Sequence, residues 1–143
     1  MGNHKTEKFI EVYQSLNKDN LYLLDEIYDP DIAFKDPLHE VSGLTELSDY
    51  FSGLYSNLNY CQFIISDTVS TDDRAFVYWT MQYAHPKLNG AQQISVEGHS
   101  HLRFAGEKII SHRDYFDVGA LLYRQIPLLG SVIKYIDKKA AQS

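Results

Sequence analysis

Cysteine is almost missing from this chain of 143 residues: Cys61 stands alone, so no internal disulfide framework can hold the fold. A lone thiol also fits a reducing compartment, and a cytoplasmic setting is expected. Positive charge is in short supply too, with 13 Lys and Arg against 19 Asp and Glu and a formal net charge of −6. No basic stripe interrupts that balance, which argues against nucleic acid as a partner. Long apolar runs are lacking: the most apolar stretch, 118–136, is broken by Arg124, Pro127 and Lys134 and does not read as a membrane span. The polar opening Met1 to Lys8 leads into no apolar signal segment. Met1-Gly2-Asn3-His4-Lys5-Thr6 fits the loose myristoylation pattern, but one acyl chain anchors weakly, and membrane contact is not expected.

What is present is an ordinary globular balance, 44% hydrophobic and 22% charged, at a length that fits a single domain over residues 1–143. Aromatics are abundant, with 11 Tyr and 7 Phe, residues suited to pocket walls and interfaces. Phe9, Val12, Tyr13 and Leu16 fall at helical spacing and predict a first helix over Lys5 to Leu16. Leu21, Leu24, Ile27 and Tyr28 predict a short second helix stopped by Pro30, and Ile32 to Lys35 a short strand ended by Asp36-Pro37. Leu44, Leu47, Phe51, Leu54 and Leu58 mark a third helix entered at Ser42-Gly43. From Cys61 the period changes from 3.6 to 2. Cys61 to Val69, Ala75 to Ala84, Gln92 to Phe104 and Lys108 to Val118 read as four antiparallel strands. Helices followed by a meander give an α+β domain, with the helices on one face of the sheet.

The third long strand separates its faces best. Ile94, Val96, Gly98, Ser100, Leu102 and Phe104 form a near-apolar face, expected inward, against Ser95, Glu97, His99, His101 and Arg103 outside. A three-residue loop at Ala105-Gly106-Glu107 would set Leu102 opposite Ile110, Ser100 opposite His112 and Gly98 opposite Asp114. His112, Asp114 and Phe116 then face inward, and Gly98 leaves space beside Asp114. An inward imidazole and carboxylate are costly unless paired or wet. They either pin the hairpin through hydrogen bonds or face a cavity. Asp36 has the same two readings, a loop cap ahead of Pro37 or a functional carboxylate. Val77, Trp79 and Met81 alternate on the second long strand and are expected to wall the pocket.

The succession Tyr28-Asp29-Pro30-Asp31, Phe34-Lys35-Asp36-Pro37, Gly43 and Tyr50-Phe51 resembles the nuclear-transport-factor-2-like superfamily over roughly residues 5 to 118. Within it the chain is similar to ketosteroid isomerases and SnoaL-like polyketide cyclases, and Ile110 to Asp117 resembles the SnoaL-like last strand. The resemblance implies a cone-shaped barrel of curved antiparallel sheet enclosing a pocket; beyond it, the apolar residues Leu121 to Ile136 predict a helical extension over 119–139. The same resemblance implies a catalytic base at Asp36, an oxyanion-stabilising donor at Tyr13, a second donor position at Ser100, and an acid/base carboxylate at Asp114 with His112 beside it. The chemistry implied is cofactor-free: a carboxylate removes a proton next to a carbonyl while donors stabilise the oxygen that becomes negative. The product class would be that of an isomerase, cyclase or lyase acting on a small apolar, carbonyl-bearing or polycyclic ligand. Phe116, Ser100, Trp79, Val77 and Met81 would contact that ligand. A ligand-binding or dimeric scaffold module of the same fold is the competing reading, and epoxide hydrolysis is disfavoured because no inward Arg accompanies the carboxylates.

Two further signals remain. His99 and His101 form a His-x-His on the outer face, but no third ligand completes a metal site, and no metal is expected. That face also carries Tyr78, Thr80, Glu97, Arg103, Arg113 and Tyr115, a mixture that suggests a homodimer interface, as the resemblance also implies. The amphipathic tail after Pro127 is expected to cover the pocket mouth or pack on a partner subunit.

Overall fold

The structure is a computed structural model describing residues 3–142. The Met1-Gly2 part of the acylation pattern lies outside the described residues.

Helix α1 spans His4–Ser15; the Asn3 side chain caps it by accepting from the Lys5 N–H at 2.9 Å. Its spacing puts Thr6, Phe9, Val12 and Tyr13 on one buried face. The expected second helix is a single 3₁₀ turn, Leu21–Glu26, and Tyr28 belongs to the following strand. Strand β1 runs Tyr28–Lys35, earlier than the periodicity predicts, and buries Tyr28, Ile32 and Phe34. Pro30 is tolerated because β1 leaves its neighbour's register between Tyr28 and Ala33, where no ladder bond is needed. After a turn closed by Asp36 comes the three-residue strand β2, Glu40–Ser42, too short for the pattern to reveal. Gly43 then adopts φ 91° and donates its N–H to Ile32 O at 2.7 Å, which launches α2, Leu44–Ser56. Helix α2 buries Leu47 and Phe51.

Strands β3 (Tyr60–Ser70), β4 (Arg74–Ala84), β5 (Ile94–Ala105) and β6 (Lys108–Phe116) form the meander. The full sheet has the order β2-β1-β6-β5-β4-β3 and curves without closing. One pairing is parallel, β1 with β6, and it sets Phe34 beside His112. Helices α1 and α2 cover the inner face, and the core lies between them and the sheet. A smaller cluster of Tyr83, Ile94 and Val96 packs against Ala120 and Leu121.

The β5–β6 register differs from the expected one by two residues. Leu102 faces His112, Ser100 faces Asp114 and Gly98 faces Phe116. The turn holds two residues, Gly106 at φ 61° and Glu107, and this moves the pairing by one. A bulge between Arg103 and Phe104, with Ile110 as the extra residue, moves it by one more. A displacement of two preserves the pleat, so His112 and Asp114 stay on the inner face. The space at Gly98 is taken by Trp79: a Cβ there would lie 2.5 Å from the indole and 2.6 Å from Tyr115 O.

The chain continues into α3 (Val118–Leu121) and, after a short turn, α4 (Pro127–Ala141). Arg124 ties this segment together, bonding Asp117 at 3.0 Å and Asp137 at 2.9 Å. No helix is long and apolar enough to cross a membrane among the described residues.

Candidate functional site

Between α2 and the inner face of β4–β6 lies a cavity of about 260 Å³. Tyr13, Phe34, Tyr50, Phe51, Tyr55, Phe63, Trp79, Met81 and Phe116 form most of its wall, with Leu121 and Leu122 from the α3 segment at one side. The α3 segment thus borders the mouth, pinned by the Tyr83 hydroxyl donating to Leu121 O, while α4 itself contributes no lining residue. Asp36 and Asp114 are its two carboxylates.

Asp114 sits on β6 where Ser100 of β5 is its direct cross-strand partner. The Ser100 hydroxyl donates to Asp114 Oδ1 at 2.5 Å, and Trp79 Nε1 donates to that same hydroxyl oxygen at 2.9 Å. His112 Nε2 also bonds Oδ1, at 2.6 Å. Both anchors hold one oxygen, so Oδ2 takes no protein hydrogen bond among the described residues, and Asp114 lines the cavity.

His112 is 1% exposed and lies behind Asp114, with its ring edge against Phe34 at 4.8 Å between centroids. Its Nδ1 meets the Tyr28 hydroxyl at 2.6 Å, and that hydroxyl meets Tyr13 Oη at 2.5 Å. A chain therefore runs Tyr13, Tyr28, His112, Asp114, and both of its ends border one cavity. One polarity serves a carboxylate at Asp114 beside an uncharged imidazole. With a carboxylate accepting at Asp114, neutral His112 donates from Nε2, Tyr28 donates to Nδ1, and Tyr13 donates to Tyr28. Burial holds the phenols of Tyr13 and Tyr28 well above their ordinary range, so both stay protonated; Asp114 pushes each the same way.

Asp36 is differently placed. Oδ1 accepts from the N–H groups of Leu38 at 2.8 Å and His39 at 2.7 Å, and Oδ2 accepts from the Tyr50 hydroxyl. Its carboxylate is spent on closing the β1–β2 turn, as a loop cap, and on orienting Tyr50. Tyr50 is raised by burial and by that bond to Asp36. Two residues expected to line the cavity stand off it. Val77 lies wholly in the core, and Ser100 is buried behind Asp114 and Trp79. Trp79, Met81, Phe116 and Tyr13 do line it.

Tyr28 is the residue that the helical reading missed. The alternation of Tyr28, Ile32 and Phe34 carries the strand signal that would have found it. Cys61 lines the wall, and burial pushes its thiol up to about 12. On the outer face, His99 is sandwiched between Tyr78 and Tyr115, at 5.0 Å and 4.9 Å, and His101 stacks on Phe76 at 4.4 Å. No cluster of three metal-ligating side chains forms among the described residues.

A curved open sheet, helices on one face and a pocket with an inward carboxylate define a nuclear-transport-factor-2-like pocket domain. Residues 9–112 match the family model described as a SnoaL-like domain, and the chain belongs to that family. No curated protein matches the sequence. Among similar solved structures is a candidate SnoaL-like polyketide cyclase from a Jannaschia species, 13% identical over 82% of this chain and 88% of that one, TM-score 0.71. A nuclear-transport-factor-2-like protein of unknown function from Burkholderia pseudomallei is 14% identical over 87% and 98%, TM-score 0.75. A hypothetical protein with a ketosteroid isomerase-like fold from Catenulispora acidiphila, in complex with trimethylamine, is 15% identical over 90% and 95%, TM-score 0.74. At these identities the likeness speaks for the fold.

Proposed function

We propose that the cavity binds a small, largely apolar compound bearing a carbonyl group, and that Asp114 moves a proton on it, as in an isomerase, cyclase or lyase. The observation that carries this reading is the division of labour within Asp114: Oδ1 is anchored twice, and Oδ2 is left for a ligand. Oδ2 takes the proton next to the carbonyl, and the C–H electron pair moves into the enolate. The Tyr13 O–H, turning from Tyr28, then donates to the oxygen that has become negative. His112 and Tyr28 act as positioning residues that set the chain's polarity. Ser100 positions Asp114, and Asp36 positions Tyr50. Such a site works without a cofactor. The same proposal includes a cytoplasmic setting and a homodimer through the outer sheet face.

The test is exchange. Carbonyl compounds of cavity size, incubated with the protein in D₂O, should lose the NMR signal of the proton next to the carbonyl. Asp114→Asn should abolish that loss, a drop of at least about 10²-fold. The amide oxygen can keep both Oδ1 bonds, so the variant should unfold within about 1 kcal/mol of the parent in urea. Exchange that survives in Asp114→Asn would remove Asp114 from the chemistry. Binding without exchange would instead favour a ligand-binding module, the reading that the structural use of Asp36 supports.

A further inference from the structure

The hydrogen-bonding groups around the cavity are unevenly divided. Four tyrosines line it, and three of their hydroxyls are engaged within the protein: Tyr13 with Tyr28, Tyr50 with Asp36, and Tyr83 with Leu121 O. The Trp79 N–H is likewise engaged by Ser100. No Lys or Arg is among the lining residues. The one basic group, His39, is at the rim, half exposed, beside Asp36 at 3.9 Å and with its ring tilted against Tyr50 at 4.5 Å. What remains for a ligand is the aromatic wall, the Tyr55 hydroxyl and the open Oδ2 of Asp114. Such a cavity offers an open carboxylate oxygen and no lysine or arginine to balance it.

An anionic ligand would enter this space against two carboxylates with no cation to receive it. A neutral carbonyl oxygen would find only tyrosine hydroxyls as donors. A protonated amine meets the opposite situation. Its N–H groups donate to Oδ2 in a charge-assisted bond, and ring faces such as those of Trp79 and Phe63 attract its charge. We infer that the cavity selects substrates carrying a protonated amine on an apolar body. This rests on the reading of Asp114 as the ligand-facing group and names the substrate class for that site. A cation in the substrate would also offset the enolate charge that forms.

Three near-isosteric probes test this: 2-phenylethylamine, protonated at neutral pH, 2-phenylethanol, and 3-phenylpropionate. Trp79 is the chain's single tryptophan and lies in the cavity wall, so its emission reports occupancy. The amine should bind at least about tenfold tighter than the alcohol, and the carboxylate should bind weakest. Asp114→Asn should weaken the amine most and bring amine and alcohol within about twofold. Alcohol or carboxylate binding as tight as the amine overturns the inference and leaves the pocket reading standing. Silence of Trp79 towards all three probes, with wild-type protein at millimolar ligand, overturns both.

Discussion

Tyr28 holds together two residues that no other group could join: its hydroxyl accepts from Tyr13 and donates to His112 Nδ1. It is 1% exposed, so water cannot replace either bond. Tyr28→Phe removes the acceptor of one buried donor and the donor of one buried acceptor. The expected loss is about 1–3 kcal/mol in urea unfolding. Tyr13→Phe removes a donor to Tyr28 but leaves the Tyr28–His112 bond in place, so it should cost less. A larger loss for Tyr13→Phe would contradict the assigned direction of the chain. The same logic separates the two carboxylates. Asp36 uses both oxygens within the protein and Asp114 uses one, although the two look equally eligible in sequence.

Among the elements, the β5–β6 hairpin decides what faces the cavity, and Gly98 decides how closely it packs. A Cβ at Gly98 would meet both the Trp79 ring and the Tyr115 backbone oxygen, and the backbone cannot rotate away. Gly98→Ala should therefore destabilise the protein by about 1–3 kcal/mol and shift Trp79 emission as the indole is displaced. An unchanged melting curve and spectrum would show that β5 and β6 separate freely there. The inward facing of His112 and Asp114 was legible because alternation has a period of two, and the turn and bulge together displaced the register by two. The exact pairing was not legible, since nothing in the identity of Ile110 announces a bulge. Strand β2 escaped notice because three residues carry no periodicity. Tyr28 was read as helical because Leu24, Ile27 and Tyr28 also satisfy helical spacing, and local pattern cannot weigh the parallel pairing with β6 that claims it. The four long strands and two long helices were legible from apolar spacing alone.

At the scale of the whole molecule, the two faces of the sheet are treated differently. Helices cover the inner face, while the outer face presents ordered rings: Tyr78, His99 and Tyr115 stack in a row, with Arg113 over Tyr115 at 4.8 Å. Tyr78 and Tyr115 are each 40% exposed, an unusual outlay of aromatic surface for a face that meets only water. Rings already held by their neighbours lose little freedom on association, which favours such a row as an interface. A second copy of the chain is the proposed partner, and a stable pairing would need to bury about 800 Å² on each subunit. Sedimentation at micromolar concentration should then return the dimer mass. Tyr115→Glu would replace an end ring of the stacked row with a charge that a partner would have to desolvate. The variant should sediment as a monomer with its far-ultraviolet dichroism unchanged, because Tyr115 points away from the core. Wild-type protein that sediments as a monomer removes the dimer proposal. A Tyr115→Glu variant that remains dimeric moves the contact to another surface, of which α4, with Leu128, Val132 and Tyr135 exposed, is the next to be substituted.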